Sequence, residues 1–181
     1  MTVLILGVAL WWGAHFFKRL APERRAAMGE KGKGLVTLLL VASVVLMVWG
    51  YRSAEFVPVW EPPAFLVHVN NLLMLLAFYL YAASGMKTGI TRVIRHPQLT
   101  GFKTWAVAHL LVNGDLAAII LFGGLLAWAV VSVIVINRAE PAWVRPAPAP
   151  AKKEVMAVVA TILVVVIVML IHNWLGVPPW G

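Results

Sequence analysis

The sequence has no cysteine, and only 7 of its 181 residues are acidic. Without thiols there can be no disulfides, no thiolate haem ligands and no cysteine-based zinc or iron–sulfur sites. Charged residues of both signs make up 12% of the chain against 62% hydrophobic, and the apolar runs are longer than the core of a soluble domain of this size needs. Also missing are a nucleophile beside a base, a phosphate-cradling glycine loop and a carboxylate pair within an apolar run, so hydrolysis is a poor fit. No internal repeat and no globular region outside the apolar runs is visible, and residues 1–181 read as a single transmembrane domain.

What is there is an all-α, polytopic membrane helix bundle. Apolar runs over residues 2–17, 35–51, 64–86, 99–112, 116–137 and 155–175 predict six transmembrane helices. The fourth is short, reaching about 21 Å at 1.5 Å per residue against a hydrocarbon core of about 30 Å, so five crossings is the fallback. Basic residues decide between the two counts. They gather in the linkers after the first run (Lys18, Arg19, Arg24, Arg25, Lys31, Lys33), before and at the start of the fourth (Lys87, Arg92, Arg95, Lys103), and before the last (Arg138, Arg145, Lys152, Lys153). Six crossings bring all three groups to the cytoplasmic side, with both termini on the periplasmic side. The net charge of +8 is then a topology signal that anionic headgroups absorb, and it implies a lipid bilayer and no nucleic acid as partner. The first run lacks a basic leader and a small-residue cleavage site, so it is expected to stay as a span.

The densest polar stretch is Arg95 to Asp115, RHPQLTGFKTWAVAHLLVNGD. Pro97 disfavours helix at His96, so a helix is expected to begin near Leu99. On it Gly101, Trp105, His109 and Asn113 recur every four residues along one stripe. An ionisable side chain inside a membrane is costly, which makes His109 a functional candidate. Counted from Lys103, His109 falls in the inner half of the bilayer, as does His15 near the end of the first span; His68 and His172 fall in the outer half. His15 and His109 could supply two axial nitrogens to haem b, with Trp11 and Trp105 as walls one turn away, or each could be satisfied by a backbone carbonyl or an amide. His68 and Asn71, three residues apart, form a candidate second polar site. His172 fits an interfacial position beside Trp174. Arg95 and His96, with Arg92 and Lys103, could face headgroups or surround a phosphate or haem propionate. Asp115, after Gly114, is the expected N-cap of the fifth span. Gly123 and Gly124 permit close helix contact.

The chain resembles the NnrU family of bacterial membrane proteins over nearly its whole length. The resemblance rests on His15, on MVWGYR at 47–52, on PVWEPPAFLVHVNNLLMLLAFYL at 58–80, and above all on GITRVIRHPQLTGFKTWAVAHLLVNGDLAAIILFGGLLAWAV at 89–130. It implies a proteobacterial inner-membrane protein, associated in some members with denitrification. The Arg-His-Pro-Gln block also resembles that of the 15-cis-zeta-carotene isomerases, which use haem b for a redox-dependent double-bond isomerisation. That likeness implies His15 and His109 as the metal ligands of a suspected haem b, with Trp105, Asn113, Arg95 and His96 around it. The position of the isomerases' switching cysteine reads Ala106 here, so a thiolate switch is unavailable. A weaker likeness to isoprenylcysteine methyltransferases shares the Arg-His-Pro corner, but the acidic pair those enzymes carry is missing.

The expected function is therefore an NnrU-type haem b protein of the inner membrane. It is a candidate haem-dependent isomerase acting on a lipophilic polyene, or a factor supporting denitrification. The alternative is a cofactor-free assembly protein packing against a larger membrane-protein partner.

Overall fold

A computed structural model describes residues 1–179. The described residues are helical apart from linkers and one isolated β-bridge, Pro58 with Asp115. Five helices are long and apolar enough to cross a membrane: α1 (Thr2–Leu20), α3 (Gly29–Arg52), α4 (Leu66–Met86), α6 (Leu116–Ala139) and α7 (Ala151–Trp174). Between them lie the short charged α2 (Pro22–Ala27) and the 16-residue α5 (Pro97–Val112). At 1.5 Å per residue α5 is about 24 Å long, below the usual length of a span. The six-span expectation thus has five helices of full length and one short one.

Several helices run further than their apolar cores. α3 begins at Gly29 rather than near 35, and its first turns carry the exposed pair Lys33 and Glu30, 2.7 Å apart. α7 likewise takes in Lys152, Lys153 and Glu154. Lysine and glutamate are good helix formers, so hydropathy marks where lipid begins and not where the helix begins.

The chain divides into two compact units. The first comprises residues 1–60 and 115–124. In it α1 and α3 lie antiparallel with their backbones close. A methyl group at Gly7 would stand 2.8 Å from the Met47 nitrogen, and one at Gly50 would strike the backbone of Leu4. Both contacts need a residue without a Cβ. The start of α6 is fixed as expected: Asp115 accepts from the Ala118 N–H at 2.9 Å, and the Leu116 N–H donates to the Val57 carbonyl at 2.9 Å. Residues Ile119–Gly123 form a π-helical turn. The Gly124 carbonyl just beyond it accepts from Trp12 Nε1 at 3.0 Å.

The second unit comprises residues 61–114 and 125–181. Here α5 runs back along α4. Gly101 lies against Ala77, where a methyl group would meet the carbonyl oxygen at 2.8 Å, with Leu80 and Tyr81 beside it. The far end of α5 reaches the level of Asn70 and Asn71, near the start of α4. α7 packs on α4 as well.

Candidate functional site

His15 and His109 belong to different units, and each is built from its own helix. In the first unit His15 Nδ1 lies 2.9 Å from the Trp11 carbonyl. A carbonyl only accepts, so Nδ1 carries the proton in this contact and Nε2 is the ring's acceptor nitrogen. The Trp11 indole packs on the same ring, with centroids 4.2 Å apart. Metal-binding histidines are commonly held this way, one nitrogen donating to the protein and the other left for the metal.

In the second unit the stripe read from the sequence is partly realised. Trp105 meets His109 edge-on, with centroids 5.1 Å apart at 74°. Phe102 packs on Trp105 at 5.1 Å and on the buried Trp128 at 5.2 Å, which stiffens the wall. Asn113 does not flank the imidazole. It leaves the helix at the C-cap of α5, and its Nδ2 donates to the His109 carbonyl at 2.8 Å. It terminates the helix and does not line a site.

His109 opens onto a cavity of about 70 Å³ that it shares with His172, Asn70, Asn71, Met74 and Met169. This differs from the depth expected from the sequence, which put His109 in the inner half and His172 in the outer. The cause is the origin of the count. α5 starts at Pro97, six residues before Lys103, so His109 sits about 18 Å along the helix rather than about 9 Å from its beginning. His172 is likewise more than an interfacial residue. Its Nδ1 donates to the Val168 carbonyl at 2.8 Å, so it too presents Nε2.

The second polar site expected of His68 and Asn71 does not form as a pair. His68 is exposed on α4. Asn71 donates to the Pro179 carbonyl at 3.0 Å and accepts from Asn70 Nδ2 at 3.1 Å. Asn70, which sequence reasoning passed over, is buried, and its Oδ1 has no hydrogen-bond partner. An unpaired buried carbonyl costs about 1–3 kcal/mol and so marks a position of interest. The only signal for it was the four-residue step to Met74.

The Arg-His-Pro corner has work of its own. Arg95 donates to the carbonyls of Glu140, Pro141 and Ala142, closing the C-terminal end of α6. His96 Nε2 lies 2.8 Å from Asn137 Oδ1. The anion-facing role considered for both residues gives way to these contacts, which join segments more than forty positions apart.

Among the described residues no group of three or more His, Asp or Glu side chains comes together. The donors on offer are therefore imidazoles, singly or in pairs. Imidazoles are the donors of an axial pair for haem iron, and both His15 and His109 have an indole against the ring. The cavity that His109 shares with His172 is too small for a porphyrin, so an axial role for His109 would have to be exercised outside it. Organic ligands occupy about 300–1,000 Å³, and this space holds about two waters or an ion.

Hydropathy, helix packing and intramembrane imidazoles together define a multi-pass helical membrane protein with a polar site on its membrane helices. The chain matches the family model described as NnrU protein over residues 3–179, and it belongs to that family. No curated protein and no solved structure matches it.

Proposed function

We propose that this protein is a haem b protein of the bacterial inner membrane, with His15 and His109 as the axial ligands. The observation that carries the reading is the hold on the His15 ring, whose Nδ1 lies 2.9 Å from the Trp11 carbonyl, the kind of protein contact that orients an iron-binding imidazole. The indole against each imidazole, and the likeness of the block around His109 to haem-dependent isomerases, support it. Haem would supply a redox-active iron; the chain supplies two oriented imidazoles and an apolar surround. A redox-gated isomerisation of a lipophilic polyene fits such a site, and a supporting role in denitrification is the other use. We further propose six crossings with both termini periplasmic. In favour are the three groups of basic residues, which six crossings bring to one face, and the run of α5 beside α4, from the level of Tyr81 to that of Asn70.

A second reading is favoured by one observation, the shared cavity of His109 and His172. On it the pair of imidazoles holds a small ion or water, and His15 is a packing residue.

Reduced-minus-oxidised spectra of the detergent-purified protein, with a pyridine haemochrome, test the first reading. The first reading expects a low-spin b-type spectrum that His15→Ala and His109→Ala each abolish or shift and His172→Ala leaves alone. A spectrum sensitive to His109→Ala and His172→Ala, yet indifferent to His15→Ala, moves the ligand pair to the second unit. A folded protein that stays colourless when haem is supplied removes the haem reading and favours the cofactor-free assembly role.

A further inference from the structure

Away from the histidines, at the opposite end of the second unit, α4 ends and α7 begins around a cavity of about 500 Å³. Met86 and Met156 are among its apolar lining residues, and three exposed lysines, Lys87, Lys152 and Lys153, line it as well. No carboxylate of the described residues lies within salt-bridge distance of these lysines. The acid nearest in sequence, Glu154, is engaged elsewhere, accepting from the Gly89 N–H at 2.6 Å. Lys87 also occupies a left-handed backbone position, φ 55° and ψ 50°, that closes the end of α4. That conformation costs a residue with a side chain about 1–2 kcal/mol and is normally given to glycine. The strain is tolerated at a position that lines the cavity.

Further along the same two helices is a second hollow, of about 370 Å³ and almost wholly apolar, lined by Leu72, Leu76 and Tyr79 of α4 and by Val158 and Ile162 of α7. Counted along α4, Tyr79 and Leu72 lie about 10 and 21 Å from Met86. The hollow therefore begins about 10 Å beyond Met86 and runs across the middle of a hydrocarbon core about 30 Å thick, a depth that an acyl chain anchored at the lysines can reach. A cavity lined by lysines, followed further along the same helix pair by an apolar groove, has the shape and charge of one amphiphile.

We propose that α4 and α7 form a binding site for an anionic phospholipid, with its phosphate among Lys87, Lys152 and Lys153 and an acyl chain along the groove beside Tyr79. Basic pockets between membrane helices on the cytoplasmic side are where anionic headgroups bind, and each lysine near such a surface contributes about fivefold to affinity. The site does not depend on the haem reading, because none of its residues is a candidate iron ligand.

Native mass spectrometry of the full chain, released from detergent and titrated in turn with phosphatidylglycerol, phosphatidylcholine and inorganic phosphate, tests it. The expected result is a one-to-one phosphatidylglycerol adduct, weaker retention of phosphatidylcholine and none of phosphate. Changing Lys87, Lys152 and Lys153 together to Gln should weaken phosphatidylglycerol binding by about a hundredfold, with the melting temperature in detergent unchanged. The same three-charge loss made at Lys18, Lys31 and Lys33 in the first unit is the control and should leave the adduct intact. If the Lys87 change impairs folding, the Lys152→Gln, Lys153→Gln pair alone should cost about 25-fold. Equal binding by the lysine variants, equal loss in the control, or retention of free phosphate that blocks the lipid would each overturn the proposal.

Discussion

The two antiparallel helix pairs, α1 with α3 and α4 with α5, close with the same device and leave different things beside it. In the first pair both helices contribute a glycine, Gly7 and Gly50, and each lies on the partner's backbone. Leu4 and Ser43 between them are wholly buried, and Ser43 turns its hydroxyl to its own helix, donating to the Leu40 carbonyl at 2.7 Å. In the second pair one glycine, Gly101, makes the close approach, and eight residues on the helix arrives at His109, two asparagines and a cavity. Close packing between membrane helices comes from small residues, because lipid is as apolar as leucine and gives no drive of its own. Where glycines are paired the backbones meet at two points and the side chains between them are buried. Where a single glycine holds one end, the other is available to polar groups, at the cost of an unsatisfied Asn70.

The sharpest way to break the first pair is Gly7→Leu. Its side chain would meet the Met47 backbone, which cannot turn aside, and the expected loss is about 3 kcal/mol or more. Size-exclusion chromatography after heating, which reports the fraction still monodisperse, should show most of the variant aggregated at temperatures the native chain survives. Gly101→Leu should be similarly harmful and, unlike Gly7→Leu, should disturb the His109 cavity. If the two glycine variants behaved like surface changes, the account of both pairs would fail. A smaller effect is expected where α6 is anchored: Asp115→Ala removes the bond to the Ala118 N–H, for about 1 kcal/mol, and Asp115→Asn should retain most of it. Thermal melts of both variants side by side would test that difference. The smallest effect has the opposite sign. Lys87→Gly relieves the left-handed strain and should raise the melting temperature in neutral detergent, by the equivalent of about 1 kcal/mol, with the gain shrinking when phosphatidylglycerol is added.

Much of this architecture was legible in the sequence, for reasons that also explain where legibility stopped. Hydropathy placed every long helix, because a membrane span is specified by an average over many residues. Asp115 as a cap and Trp105 against His109 were readable because both are contacts within one turn or two of a single helix. The ends of α3 and α7 were not, since charged helix formers carry the helix past the lipid boundary. The partnership of His109 with His172 was hidden by a depth reckoned from the nearest lysine instead of from Pro97. Arg95 was misjudged for a different reason. Its partners are carbonyl oxygens, which every residue has, and no side-chain pattern announces them.

That last contact has a consequence for how the chain is made. Arg95 and the Glu140 carbonyl are 45 residues apart, and at about 5–20 residues per second a ribosome needs roughly 2–9 s to go from one to the other. For that interval the guanidinium has none of its three carbonyl partners, and the 16-residue helix that follows it is shorter than each of the five helices long enough to cross a membrane. The corner closes only once α6 has emerged, so the segment bearing His109 is secured by a residue made before it and by carbonyls made after it.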